Sequence, residues 1–163
     1  MLFRSGDDLA GALAEAIAAT VGSVRDGDVL VVSSKVVSKA GGLRADVAQR
    51  AALVLRESDR VVAERTTATG ITRIVAASAG PVLAGAGIDA SNIGPGDEHV
   101  LLLPQEPDAA AHSLLLGVAA ALEGRGGSNP VDRPTRWGVL ITDTAGRPWR
   151  LGQADIAIGA AGV

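Results

Sequence analysis

Cysteine is absent from this 163-residue chain. That excludes a disulfide framework, a zinc–thiolate site and a thiol nucleophile. Aromatic residues are nearly as scarce, 2% against 47% hydrophobic residues in all, so alanine, valine and leucine must build the core. Side chains of that size let helices and strands approach closely. No apolar run reaches the roughly 20 residues a membrane-spanning helix needs. The opening MLFRSGDDLA lacks the apolar stretch of a secretory signal. The expected location is therefore cytoplasmic, away from any membrane. Neither sign of charge dominates. The formal net charge is −3 with both signs interspersed, which gives no footprint for a nucleic acid polymer or an anionic bilayer. A phosphate-bearing partner is expected to be a small nucleotide.

What is present reads as alternating helices and strands. Asp7 and Asp8 precede Leu9, Leu13, Ile17 and Val21, a helical spacing that Gly22 closes. VLVVSSKVV (29–37) is nearly continuous and β-branched, the pattern of a strand buried on both faces, and KAGG (39–42) breaks it. ADVAQRAALVLRE (45–57) predicts a second helix, and ITRIVAA (71–77) and residues 82–84 predict strands. Residues 84–97 read as a structured loop rich in glycine and Asx. VLLL (100–103) is a short strand, and Pro107 or Asp108 opens a helix through DAAAHSLLLGVAAALEG. Residues 124–136 read as a loop. WGVLITDT predicts a final strand, followed by a polar turn and an apolar tail, IAIGAAGV, that needs a partner. The order points to an α+β domain, a mixed β-sheet with flanking helices. Trp137 and Trp149 are expected in packing roles, and neither His99 nor His112 receives a chemical one.

Three polar clusters stand at strand ends, where such sheets place their sites. Ser33, Ser34, Lys35, Ser38 and Lys39 combine hydroxyls and ammonium groups suited to phosphate oxygens; a solvated strand end followed by a Gly-Gly turn has the same composition. Gly85-Ala86-Gly87 followed by Asp89, Ser91 and Asn92 contains G-x-G-x-x-A, but Gly94-Pro95-Gly96 prevents the helix that a dinucleotide fingerprint must open. Asp89 remains as a candidate cation ligand and Asn92 as a base or ribose reader, or both belong to an Asx-rich turn. Asp143 and Thr144 follow an apolar strand, an arrangement suited to magnesium beside a phosphate chain. DTAG is shared with small GTPases, but no G-x-x-x-x-G-K-[ST] loop is present. Arg147 and Arg150 would neutralise charge on a transferred phosphoryl group, or form a solvated basic turn.

Taken together the segments are more specific. GDDLA (6–10), DGDVLVVSSKVVSKA (26–40), AGIDASNIG (86–94), LLLPQEPDAAA (101–111) and ITDTAGRPWRLGQADIAIGAAGV (141–163) occur in this order. The series resembles the coenzyme F420-0:L-glutamate ligase family, including the ligase half of the two-domain actinobacterial form. The resemblance implies a fold unlike P-loop, Rossmann or ATP-grasp domains. It implies a GTP-dependent ligase that adds L-glutamate to coenzyme F420-0 through a γ-linked amide and an acyl phosphate. It further implies Mg²⁺ or Mn²⁺, potassium as an additional candidate ion, and a homodimer. Carried onto matching positions, Asp89, Asp143 and Thr144 are the implied metal ligands, and Ser34, Lys35, Asn92 and Lys39 the implied GTP contacts. Arg147 and Arg150 are added as catalytic candidates on charge grounds alone.

The pattern departs at SK-x-EGR, where Gly41 and Leu43 stand for the glutamate and arginine. Residues 1–163 are expected to form one ligase-like domain lacking the family's N-terminal loop and C-terminal segment. An inactive fragment, or a nucleotide-binding or dimerising module without turnover, is the alternative expectation.

Overall fold

A computed structural model describes residues 3–68, 70–91, 98–125, 136–146 and 151–163. In chain order the elements are α1 (Leu9–Thr20), β1 (Val29–Ser33), α2 (Ser34–Ala40), β2 (Arg44–Asp46), α3 (Arg50–Arg56), β3 (Ser58–Thr67), β4 (Gly70–Ala77), β5 (Val82–Ala84), β6 (His99–Leu101), α4 (Pro107–Glu123), β7 (Gly138–Gly146) and β8 (Gln153–Ala161). The molecule is α+β as expected, with its strands divided among three small sheets. One is mixed, ordered β1-β7-β8; β2 and β6 form an antiparallel pair; β3, β4 and β5 form an antiparallel meander.

Local chemistry accounts for the helices that the sequence marks. The Asp8 carboxylate accepts from the Gly11 N–H at 2.9 Å and caps α1. Pro107 occupies the first turn of α4, where its missing N–H costs nothing. Asp108 accepts from the Ala160 N–H at 2.8 Å and ties the start of α4 to β8. The two long helices meet through small residues: a Cβ built on Gly117 would stand 2.9 Å from that of Ala10. This is the close approach that a core poor in aromatics allows.

Two hydrophobic clusters result. The first joins Leu9 and Ala14 of α1, Val32 of β1, Ala111, Leu114 and Val118 of α4, and Val139 and Ile141 of β7, with Trp137 packed among them. The second joins Leu53 and Val54 of α3 to Val75, Ala77, Ala86, Ile88 and Val100. Trp137 thus packs as expected, whereas Trp149 lies outside the described residues.

The structure corrects four expectations. The strand beginning at Val29 stops at Ser33, and residues 34–40 are helical; Val36, Val37 and Ala40 then share one face and pack on the first cluster. That strand is not buried on both sides, because Val29 and Val31 are 46% and 57% exposed. The predicted helix over 45–57 starts late: residues 44–46 pair with β6, a single 3₁₀ turn follows at Val47–Gln49, and α3 begins at Arg50. The long strand β3 was not expected at all. The apolar tail finds its partner within the chain, as β8 antiparallel to β7.

Candidate functional site

The site is built around the junction of β1 and α2. β1 runs parallel to β7 with Ser33 opposite Thr142, so the next residue of each strand emerges at the same end of the sheet. The Ser34 hydroxyl donates there to Asp143 Oδ1 at 2.9 Å. Ser34 is buried, as is Ser38 one turn later, whose hydroxyl donates to the Leu102 carbonyl at 2.6 Å. Four-residue spacing puts both on one face of α2, which fastens that helix to β7 on one side and to the segment after β6 on the other. Ser38 therefore anchors α2, and its hydroxyl is engaged.

Lys35 leaves the helix toward Asp89. Its Nζ lies 2.9 Å from Asp89 Oδ2 and donates to the Ser91 hydroxyl at 2.6 Å. Asp89 is itself held by paired backbone hydrogen bonds with Leu101, each 3.0 Å, and its Oδ1 accepts from the Ser91 N–H at 2.7 Å. The turn before it has an unusual hand: Gly85, Ala86 and Gly87 all have positive φ, at 58°, 56° and 67°. Glycine adopts this conformation readily, but for alanine it is strained by about 1–2 kcal/mol. Packing of the buried Ala86 into the second cluster holds it there.

Two carboxylates are thus delivered by consecutive residues, Asp143 through Ser34 and Asp89 through Lys35. Burial of the Asp89 carboxyl favours its neutral form. The Ser91 hydroxyl, the Lys35 ammonium, the Ser91 amide and the lysine charge outweigh that, so the group titrates below its ordinary value of 3.8. Oδ2 is buried, and its close contact is the ionic one with the ammonium. A buried acceptor in that state calls for an explanation, and a hard cation that takes oxygen ligands supplies one. Among the described residues no three acidic, imidazole or thiol groups are clustered closely enough to hold a metal ion by themselves. Asp89 and Asp143 are the carboxylates here that would offer oxygens to Mg²⁺ or Mn²⁺.

Thr144 stands differently from Asp143. Successive side chains of a strand point to opposite faces, and the hairpin register sets Thr144 directly across from Asp155 of β8. Its hydroxyl donates to Asp155 Oδ1 at 2.8 Å. Asp155 was not singled out in the sequence, because the β7–β8 register that makes it a partner depends on the tail being a strand. Lys39 lies one turn beyond Lys35 on the same face of α2 and is half-buried. Asn92, Arg147 and Arg150 lie outside the described residues.

A cleft of about 440 Å³ opens elsewhere, between α3 and the start of β4, where Arg50, Val54, Thr72, Arg73 and Gly85 line it. None of the sequence-predicted site residues borders it. No described helix is long and apolar enough to cross a membrane.

The family model and the relatives named here agree in their description. A family model described as F420-0:gamma-glutamyl ligase matches residues 1–163. A coenzyme F420:L-glutamate ligase of Halorubrum lacusprofundi is 35% identical over 185 residues, covering 98% of this chain and 62% of that protein. The proteins of the same name from Methanopyrus kandleri and Natronomonas pharaonis are 35% and 34% identical with the same coverage. The chain thus spans less than two thirds of the length of these curated relatives. The family match extends over every segment that builds the Ser34–Asp143 and Lys35–Asp89 contacts, and the chain belongs to the F420-0:gamma-glutamyl ligase family.

Proposed function

We propose that this chain carries the GTP-dependent ligase activity that joins L-glutamate to coenzyme F420-0 through a γ-linked amide. The observation that carries the reading is the pair of contacts at the start of α2, Ser34 with Asp143 and Lys35 with Asp89, in a chain of this family.

A carboxylate is a poor electrophile until one oxygen becomes a leaving group. In the proposed reaction an acceptor carboxylate oxygen attacks the γ-phosphorus of GTP, the bond to the β-phosphate oxygen breaks, and GDP leaves. The uncharged amine of glutamate then attacks the acyl carbon. Inorganic phosphate departs, the nitrogen loses a proton, and an amide remains. Asp89 and Asp143 would hold Mg²⁺ or Mn²⁺, which supplies neutralisation of phosphate charge. Lys35 and Lys39, on one face of α2, would contact phosphate oxygens as point charges. Asn92 is assigned to the nucleotide, and Arg147 and Arg150 to the transferred phosphoryl group. Thr144, the third ligand of the proposal, lies on the other face of β7 with its hydroxyl given to Asp155, and would have to release that bond to reach a cation held by Asp143. A homodimer acting in the cytoplasm, with potassium as an additional ion, completes the proposal.

The test is incubation of the purified protein with GTP, Mn²⁺, L-glutamate and F420-0. The expected result is a product heavier by one glutamyl residue, with one GDP formed per amide. GDP formation without amide, or neither product, overturns the reading. A second reading is a nucleotide-binding module without turnover, for which the observation is that no cluster of three metal-ligating side chains is found among the described residues. GDP binding in the absence of both products would select it.

A further inference from the structure

The contact between Lys35 and Asp89 does more than orient two side chains. We infer that the Lys35 ammonium is a built-in substitute for the divalent cation, occupying the Asp89 carboxylate until metal displaces it toward a nucleotide phosphate. The inference rests on the proposed role of Asp89 as a metal ligand.

Three features carry it. Asp89 Oδ2 is buried and has the ammonium 2.9 Å away as its close ionic contact. The ammonium thus stands at the oxygen that a cation would take. A divalent ion and an ammonium cannot share that oxygen, because two cations at such separation repel strongly at the low effective dielectric of a partly buried site. Second, the side chain is long and partly exposed while its base is held. Lys35 is 38% exposed at the end of a flexible stem. Ser34 and Ser38, on either side of it in sequence, are 3% and 1% exposed and bonded to Asp143 and Leu102. A displaced ammonium therefore swings from a fixed point. Third, the other contact of the ammonium is the Ser91 hydroxyl at 2.6 Å, a neutral partner that leaves the charge uncompensated once Asp89 is taken. Phosphate oxygens would then be the strongest acceptors within reach.

The arrangement predicts reciprocal coupling. Metal must compete with Lys35 in the free protein, and nucleotide phosphate, by drawing Lys35 away, tightens metal binding. By linkage, metal tightens nucleotide binding by the same factor. The lysine thereby makes the nucleotide complex the state that loads metal.

The test is titration of free Mn²⁺ by its electron paramagnetic resonance signal, with and without GDP, on the wild type, Lys35→Met, Lys35→Gln and Asp89→Asn. Without nucleotide, both Lys35 variants are expected to bind Mn²⁺ about fivefold more tightly than the wild type, at the low end of ordinary coupling factors. The factor by which GDP tightens Mn²⁺ binding should fall toward one in both. Asp89→Asn should bind Mn²⁺ more weakly than the wild type. If Asp89→Asn weakens Mn²⁺ binding while the Lys35 variants bind it no more tightly than the wild type, the substitution of lysine for metal is overturned and the role of Asp89 stands. If Asp89→Asn binds Mn²⁺ as the wild type does, or no protein binds it, the role of Asp89 fails and takes the inference with it.

Discussion

Ser34 and Asp143 stand 109 residues apart in sequence and 2.9 Å apart in space, joined by a hydrogen bond from a buried hydroxyl to a half-buried carboxylate. The parallel register of β1 and β7 makes the contact, and the contact fixes where α2 begins.

Removing that hydroxyl tests its structural value. Ser34→Ala leaves Asp143 Oδ1 without its donor and should lower stability by about 1–2 kcal/mol. Thermal unfolding compared with the exposed control Ser23→Ala, expected to be near neutral, measures it. An unchanged midpoint would mean that water replaces the hydroxyl without loss.

Asp143 is the position at which stability and binding should separate. Asp143→Asn keeps the acceptor for Ser34 and removes the charge. The variant should melt close to the wild type while its Mn²⁺-dependent GDP binding weakens by more than the roughly 10–100-fold typical of groups that only support a ligand. Calorimetric titration with GDP, with and without Mn²⁺, reads the effect. Unaltered affinity in both conditions would remove Asp143 from the metal site.

Asp89 gives a pH dependence with a definite sign. Its pKa is lower in the folded protein than the ordinary 3.8, so its ionised form is favoured by folding. The stability it contributes is complete above that ordinary value and is lost as pH falls through the lower, folded value. The stability difference between wild type and Asp89→Asn should therefore be flat above about pH 5 and shrink below the ordinary value. Denaturant titrations across that range check it, and a difference growing toward low pH would reverse the assignment.

Two glycines should respond oppositely to alanine. A methyl group on Gly159 would meet the Pro107 backbone carbonyl at the start of α4, and overpacking against a fixed backbone should cost about 1–3 kcal/mol. Gly124 ends α4 with helical dihedrals, φ −63° and ψ −15°, and its added methyl would find only an ordinary contact at 3.5 Å. Gly124→Ala should stabilise by about 0.4–1 kcal/mol through the unfolded chain. Chemical denaturation of the two variants side by side decides both.

The parts of the fold legible in the sequence are those whose signals are local. Asp8 with its leucine spacing marked α1 and Pro107 marked α4, while KAGG marked a break whose preceding element is a helix and not the expected strand. Where two local signals competed, tertiary packing decided. Val36 and Val37 extend a β-branched run, yet with Ala40 they also form a helical face, and the burial of Ser34 and Ser38 selects the helix. β3 carries Asp59, Arg60, Glu64 and Arg65 in an exposed segment, so hydrophobic alternation is absent and only its pairing with β4 makes it a strand. At the site, Asp89, Lys35, Ser34 and Asp143 were legible as residue types at strand ends. That Lys35 meets Asp89, and that Thr144 turns to Asp155, depends on register, which no local pattern encodes.

The order in which the chain is made gives the Ser34–Asp143 bond a temporal meaning. Translation at about 5–20 residues per second separates its two partners by roughly 5–20 s. The second cluster, complete once Val100 has been made, can consolidate during that interval. β1 must wait, with Val32 unpacked and its parallel partner still unsynthesised. Within the nascent polypeptide the hydroxyl and ammonium of Ser34 and Lys35 thus precede the strand that completes their surroundings, so the candidate site forms later than the second cluster.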